Sequence, residues 1–145
     1  MEHKIKNIFQ QGAIDPVFVG ESIAKHSSKT NIGAHCIFLG QVRNDNIDGK
    51  EVIAIEYTTY EAMALEKMHE LRESIFLKYE LTCMHVHHSL GTVKTGEISL
   101  FVFTSSKHRR DAIDACNELV ELIKKELPVW GRELFAEGHT WKQNH

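Results

Sequence analysis

Residues 97–127, EISLFVFTSSKHRRDAIDACNELVELIKKEL, carry a strand pattern that passes directly into a helix pattern. The run EISLFVFT (97–104) is strongly apolar and predicts a strand. From about residue 106 onward, apolar residues recur at helical spacing and form one stripe about 120° wide. The residues of this stripe are Ala112, Ile113, Cys116, Leu119, Val120, Ile123 and Leu127. Pro128 is expected to end the helix.

On the N-terminal side, the segment DPVFVGESIAKH predicts a first helix, with Asp15 as its N-cap and Pro16 at its first position. Residues 33–43 and 51–60 predict a pair of strands. The polar loop between them contains the turn signal Asp48-Gly49. This half of the chain therefore predicts one helix followed by one strand pair.

An amphipathic pattern over residues 64–79 predicts a middle helix. A strand over 81–88 follows, separated from the strand at 97–104 by the turn-rich segment SLGTVKTG. The order is helix, strand pair, helix, strand pair, helix. We therefore expect a single α+β domain over residues 1–145, with helices packed on a largely antiparallel sheet.

The composition narrows the class of protein. The chain has 145 residues and a formal net charge of -3, which argues against a general nucleic-acid binder. It shows no apolar stretch near the ~18 residues of a membrane span and no signal-peptide pattern at its start. The three cysteines are widely spaced without a CxxC motif, which favours buried thiols in a reducing compartment. We expect a cytoplasmic protein that binds neither nucleic acid nor membrane.

The start of the last predicted helix is unusually basic. Lys107, His108, Arg109 and Arg110 stand where the helix dipole favours acidic side chains. Ser105 or Ser106 is expected to cap this helix. Two interpretations stay open: the free N–H groups and guanidinium groups bind a phosphate or carboxylate, or the cluster is a solvated basic patch.

Two further cations are candidate functional residues. The helical wheel places Lys124 just beyond the apolar stripe, which predicts partial burial, and places Lys125 on the polar face. Partial burial would make Lys124 a usable base or nucleophile, although a lysine that extends its ammonium group to solvent fits as well. Arg43 ends a predicted strand next to a polar loop, where ligand-binding side chains are common.

The segment CMHVHH places Cys83, His85 and His87 on one strand face and His88 on the other. These residue types ligate zinc or copper. Residues that alternate along one strand lie about 7 Å apart, however, and such a row rarely closes a tetrahedral shell. We therefore predict neither a metal site nor a cofactor, and we interpret the strand as a face of hydrogen-bonded histidines.

Several stretches between about Gly33 and Trp141 together resemble the MoaE family, the large catalytic subunits of molybdopterin synthase. The stretches are GQVRN (40–44), IEYTTYEAMA (55–64), HSLG (88–91), SSKHRRDAIDA (105–115) and LIKKELPVWGRE (122–133), followed by Gly138 and Trp141. The resemblance implies an α/β hammerhead fold and a homodimer at the centre of a heterotetramer. It also implies a partner, a small ubiquitin-like sulfur carrier whose C-terminal Gly-Gly is activated as a thiocarboxylate.

The implied activity is transfer of sulfur from that thiocarboxylate to cyclic pyranopterin monophosphate, which forms the dithiolene of molybdopterin. Lys124 matches the family's catalytic lysine. His108, Arg109 and Arg43 match its anion-binding residues, so the resemblance implies that the basic helix start and Lys124 serve one site.

One position departs from the family pattern. Familiar members carry a second active-site lysine after the tryptophan, whereas this chain has Gly131 after Trp130. Arg132 or Lys125 is the candidate replacement, although a guanidinium cannot donate a proton near neutral pH. The alternative function is a catalytically impaired module that still binds the carrier and the pterin phosphate.

Overall fold

The computed structural model describes residues 5–136 of the chain. The helices are α1 (Pro16–Lys25), α2 (Glu61–Lys78) and α3 (Arg109–Glu126), and a short 3-10 turn (His26–Ser28) follows α1. The strands are β1 (Phe9–Gln11), β2 (Ala34–Gln41), β3 (Asn46–Ile47), β4 (Lys50–Thr59), β5 (Cys83–Lys94), β6 (Ile98–Ser106) and β7 (Val129–Phe135).

The strands form a seven-stranded sheet in the order β2-β6-β5-β4-β3, with β1 beside β5 and β7 beside β4. Within residues 5–136 every strand pair is antiparallel except β1 with β5. Helices packed on this sheet confirm the predicted α+β class. None of the helices in the described part of the chain is long and apolar enough to cross a membrane.

The alternation of β6 divides the core between the two faces of the sheet. Leu100 and Val102 pack with the apolar sides of α2 and α3. Phe101 and Phe103 point to the other face, where they pack with Val19 of α1. Because successive side chains of a strand point to opposite faces, this one buried strand supports both layers.

The predicted start of α1 and the predicted turn at Asp48-Gly49 are confirmed. The predicted pairing of the strands on either side of that loop is wrong, because β2 pairs with β6 and the turn joins β3 to β4. The side chain of Asp15 accepts a hydrogen bond of 2.9 Å from the backbone N–H of Val17, and Pro16 opens the helix. Asp48 and Gly49 both adopt positive φ, at 54° and 78°. Two such residues fit the tight turn that joins antiparallel strands.

The prediction that residues 89–96 form a turn-rich connection is wrong. Strand β5 continues to Lys94, because Val93 is fully buried and pairs with Ile55 of β4. The sequence pattern also gave no signal for β1 or β7. Strand β7 pairs with β4 along most of its length and so brings the segment after Pro128 back onto the sheet.

The predicted start of α3 is also wrong. Ser105 and Ser106 do not cap the helix, since both are buried in β6 and pair with β2. The helix begins at Arg109, with His108 at the N-cap position. The apolar stripe is shifted as well: Ala115 is buried, whereas Ile113 is 50% exposed.

Candidate active site

A cavity of about 350 Å³ lies where β2 ends, beside the last turn of α3. It brings together two of the predicted site residues, Arg43 and Lys124. The other lining residues are Phe38, Leu39, Gly40, Gln41, Val42, Asp45, Val52, Ile55, Tyr57, Ser99 and Glu133. We call this the β2-end cavity. Its walls come from β2, β4, β6, α3 and β7, with Arg43 in the loop that follows β2.

Lys124 is exposed in the described chain, so the predicted partial burial is wrong. The reason is the shifted stripe of α3, whose buried edge is Val120. At 100° per residue, Lys124 lies about 40° beyond that edge. Its ammonium group is therefore accessible from the β2-end cavity, where it offers a positive charge and three N–H donors to a bound molecule.

The side chain of Arg43 is 81% exposed. Its guanidinium forms an ion pair with Asp45, with Nη2 3.2 Å from Oδ2. An ion pair this exposed contributes at most ~1 kcal/mol. A phosphate that binds with bidentate geometry competes well against one carboxylate for such a group. Arg43 is therefore free to bind an anion at the rim of the cavity.

Sequence reasoning did not single out Tyr57 and Ser99, which also line the β2-end cavity. The hydroxyl of Tyr57 donates to Ser99 Oγ at 3.2 Å. The ring of His88 meets the Tyr57 ring edge-on, with centroids 5.4 Å apart. Tyr57 belongs to the stretch IEYTTYEAMA that carries the family resemblance, and this was the available signal.

His88 is a buried neighbour of these groups. Desolvation lowers its pKa, and the positive charge of Lys124 lowers the pKa further, while the hydrogen bond to the Ser89 carbonyl raises it. The carbonyl can only accept, so His88 Nδ1 carries the hydrogen in this 2.8 Å contact. Burial and the charge of Lys124 thus favour the neutral form of the imidazole that contacts Tyr57.

A second cavity, of about 430 Å³, lies at the start of α3 and is lined by Gly33, Lys107, His108, Arg109 and Arg110. Among residues 5–136, no side chain caps this helix end. The unpaired N–H groups and the surrounding positive charges lie at an exposed helix end, and such an arrangement suits an anion.

The basic helix start and Lys124 line separate cavities within one chain. Fifteen residues of α3 separate Arg109 from Lys124, so at 1.5 Å per residue the two backbones lie about 22 Å apart. A molecule the size of a pterin phosphate cannot touch both ends of α3 in a single copy.

The two candidate replacements for the absent lysine lie outside the β2-end cavity. Lys125 is exposed and is not among the lining residues. Arg132 donates from Nε to Glu56 Oε1 at 3.2 Å, across the pairing of β7 with β4. Because side chains alternate along β7, position 131 shares a face with Glu133, which does line the cavity.

Gly131 pairs with Tyr57 and fits closely against β4. A Cβ atom at this position would lie 2.9 Å from Ile55 Cγ2, so a larger residue requires Ile55 to move. The motif positions Gly138 and Trp141 lie outside the described residues.

The family model for the MoaE protein matches residues 13–126. A molybdopterin synthase catalytic subunit from Culex quinquefasciatus is 40% identical over 136 residues, covering 90% of this chain and 84% of that protein. One from Pyrococcus abyssi is 37% identical over 123 residues, covering 85% and 82%.

Solved structures give the same result. Molybdopterin synthase from Staphylococcus aureus superimposes with a TM-score of 0.79 at 26% identity, covering 92% of this chain and 93% of that one. The complex of subunits 1 and 2 of molybdopterin-converting factor from Helicobacter pylori superimposes with a TM-score of 0.75 at 25% identity, covering 88% and 84%. With sequence and fold in agreement, the chain belongs to the MoaE family.

Proposed function

We propose that the protein is the catalytic subunit of a molybdopterin synthase, an enzyme of molybdenum cofactor biosynthesis. The reaction is transfer of sulfur from the thiocarboxylated C-terminus of a small carrier subunit to cyclic pyranopterin monophosphate. The observation that carries this proposal is that Lys124 and Arg43 both line the β2-end cavity, in a chain that belongs to this family.

In this mechanism Arg43 binds the phosphate of the pterin, and Lys124 acts on the reacting carbonyl. The thiocarboxylate sulfur bonds to a pterin carbon while a carbon–oxygen bond at that carbon breaks, and the oxygen leaves as phosphate oxygen or as water. The resulting thioester is then hydrolysed by water. The sulfur stays on the pterin, and the carrier leaves as a carboxylate. The ammonium of Lys124 stabilises the oxyanion that develops during hydrolysis, or it moves the proton released from the attacking water.

The carrier subunit enters as a flexible tail, and its acceptor is a dimer of this chain. The Helicobacter pylori structure contains two different subunits of the molybdopterin-converting factor, which supports a small-subunit partner here. We further propose that the start of α3 from a second copy completes the β2-end cavity. That copy supplies His108 and Arg109, because within one copy α3 keeps Arg109 about 22 Å from Lys124.

The primary test is a reconstituted assay with the thiocarboxylated carrier and cyclic pyranopterin monophosphate. Lys124→Ala should abolish molybdopterin formation while binding of the pterin phosphate persists. Full activity of this variant would remove Lys124 from the mechanism. Lys125→Ala is the matched control, because it deletes the neighbouring ammonium outside the cavity.

Mixed dimers test whether two copies share a site. Lys124→Ala and Arg109→Ala homodimers are unfolded, mixed and refolded, so half of the dimers contain one chain of each kind. A site built from both copies then leaves one of the two sites intact in each mixed dimer, and about a quarter of the wild-type activity returns. A site within one copy predicts no recovery.

A catalytically impaired binding module remains the second candidate, and one observation favours it. The family's second lysine is absent at position 131, and Arg132 is engaged with Glu56 rather than lining the cavity. Under this alternative the dimer binds carrier and pterin phosphate without forming product. A large rate gain in Gly131→Lys would favour the impaired module, and an unchanged rate would favour the active enzyme.

A further inference from the structure

A group of three potential metal ligands lies on the face of the sheet that α1 covers. We call it the histidine–cysteine cluster, and it consists of His26, Cys83 and His85. One ligand atom from each residue lies within 4.8 Å of the other two. His26 is 8% exposed and Cys83 is 6% exposed, so two of the three ligands are shielded from competing water.

Ligands that alternate along a single strand lie in a row and rarely surround a metal, but the fold adds a ligand from a second element. Cys83 and His85 alternate along β5 and therefore share one face, as the sequence indicated. The third residue comes from a different element: the 3-10 turn after α1 places His26 above that face, with its Nε2 3.1 Å from His85 Nε2. The three ligands thus form a triangle rather than a row.

The hydrogen bonds of His26 prepare it to bind a cation. Its Nδ1 lies 2.7 Å from the carbonyl oxygen of Ser22, and because a carbonyl can only accept, Nδ1 carries the hydrogen. In the neutral ring, Nε2 then has a lone pair, which accepts the hydrogen bond from His85 Nε2. Metal-binding histidines usually have their other nitrogen fixed in this way.

Cys83 already faces a positive charge. The ammonium of Lys29 donates to Cys83 Sγ at 3.1 Å. Lys29 is exposed, so its side chain can turn into solvent when another cation takes its place. His35 is a neighbour rather than a member of the cluster, because its Nδ1 is engaged with Ser105 Oγ at 2.7 Å.

We propose that His26, Cys83 and His85 form a three-ligand site for Zn²⁺, with water in the fourth position. Around tetrahedral zinc, two nitrogen ligands lie about 3.3 Å apart, and a nitrogen and a sulfur about 3.6 Å apart. The 3.1 Å between the two imidazole nitrogens meets this requirement closely. The sulfur needs a shift of at most about 1.2 Å, which is smaller than the displacement of a cysteine sulfur between two staggered rotamers.

Zinc binding at this site requires one change of tautomer and at most one released proton. Zinc replaces the hydrogen that His85 Nε2 shares with His26, and that hydrogen moves to His85 Nδ1, so both rings stay neutral. Cys83 binds as a thiolate, and if its sulfur is protonated beforehand, one proton leaves to solvent. Two imidazoles with one thiolate are a ligand set that suits zinc.

This site is independent of the proposed sulfur transfer, so its test involves no turnover. Untagged, full-length protein is dialysed against Zn²⁺, and bound metal is measured by elemental analysis. We expect one equivalent and a rise of about 5–10 °C in the thermal midpoint at saturating zinc. Co²⁺ in place of zinc should give a thiolate-to-cobalt charge-transfer band, which reports Cys83 directly.

Three variants separate this site from adventitious binding. Cys83→Ser should lose the charge-transfer band, and His85→Gln should lose most of the bound metal. His87→Gln is the matched control, because His87 lies on the same face of β5 but packs against Phe18 and Phe101. It should bind zinc like the wild type.

Lys29→Gln adds a readout with the opposite sign. Removing the competing ammonium should tighten zinc binding about fivefold. The proposal is overturned if wild-type protein with Co²⁺ shows no thiolate band. It is also overturned if Cys83→Ser and His85→Gln bind zinc as well as the His87→Gln control does.

Discussion

Replacing Gly131 by lysine, the residue that the family carries at this position, should destabilise the fold by a measurable amount. In Gly131→Lys the new Cβ starts 2.9 Å from Ile55 Cγ2, whereas ordinary contacts begin near 3.4 Å, so atoms must move by about 0.5 Å. Overpacking of this kind costs about 1–3 kcal/mol. Replacing glycine inside a strand returns about 0.5–1 kcal/mol of backbone entropy. We therefore expect a net loss of about 1 kcal/mol in the free energy of unfolding.

Urea unfolding followed by circular dichroism measures this loss. With an m-value of about 2 kcal/mol/M, the midpoint should fall by about 0.5 M. Gly20→Lys is the matched control, since a Cβ at this exposed position of α1 meets nothing within 4 Å; its midpoint should stay or rise. Adding Ile55→Ala to Gly131→Lys should cost less than the sum of the two single changes, because the contacting methyl is gone. A Gly131→Lys variant as stable as wild type would refute this reasoning.

Three further predictions concern separate parts of the molecule. Arg132→Ala should leave the rate of sulfur transfer within about twofold of wild type. It should lower the free energy of unfolding by at most ~1 kcal/mol, because the contact of Arg132 with Glu56 is exposed. A large rate loss in the reconstituted assay would contradict the position of Arg132 outside the β2-end cavity. Val93→Ala should lower the free energy of unfolding by about 2 kcal/mol in the same urea titration, because its side chain is fully buried; an unchanged midpoint would refute the β5 packing. Unfolding should also become easier as pH falls from about 6.5 to 4. Burial lowers the pKa of His85 to about 4, with smaller contributions from Lys6 and other positive neighbours, so the unfolded chain takes up this proton first. His85→Gln should remove about 1 kcal/mol of that pH dependence, discounted for the partial exposure of the ring; an unchanged pH profile would exclude His85 as its source.

The elements with clear periodic patterns could be predicted from the sequence, and the others could not for physical reasons. Helix α1 was found because Asp15 and Pro16 mark its start. Strand β7 has a mostly exposed run in its middle, with no alternation between buried and exposed residues. Backbone hydrogen bonds to β4 hold β7 in place. Such bonds do not depend on the side chains, so they leave no periodic pattern of apolar residues in the sequence.

The candidate site was predicted in part. The resemblance named Arg43 and Lys124, and the structure places both in one cavity. The helical wheel misplaced Lys124, because it located the stripe from apolar residues that include Ile113, which is exposed. Small residues decide the true edge of the buried stripe: Ala115 is buried there, although one alanine gives little hydrophobic signal.

The basic start of α3 is costly in the isolated chain. Lys107, His108, Arg109 and Arg110 are exposed near N–H groups that already carry partial positive charge, and Asp111 is the acidic residue in the first turn. Each unfavourable charge costs about 0.3–1 kcal/mol at an exposed site. In the proposed shared site, a phosphate or thiocarboxylate at this helix end would replace that repulsion by attraction. Under this proposal the charges that destabilise one copy favour the dimer with its ligand bound, so Arg110→Gln should stabilise the free chain and weaken its binding of the pterin phosphate.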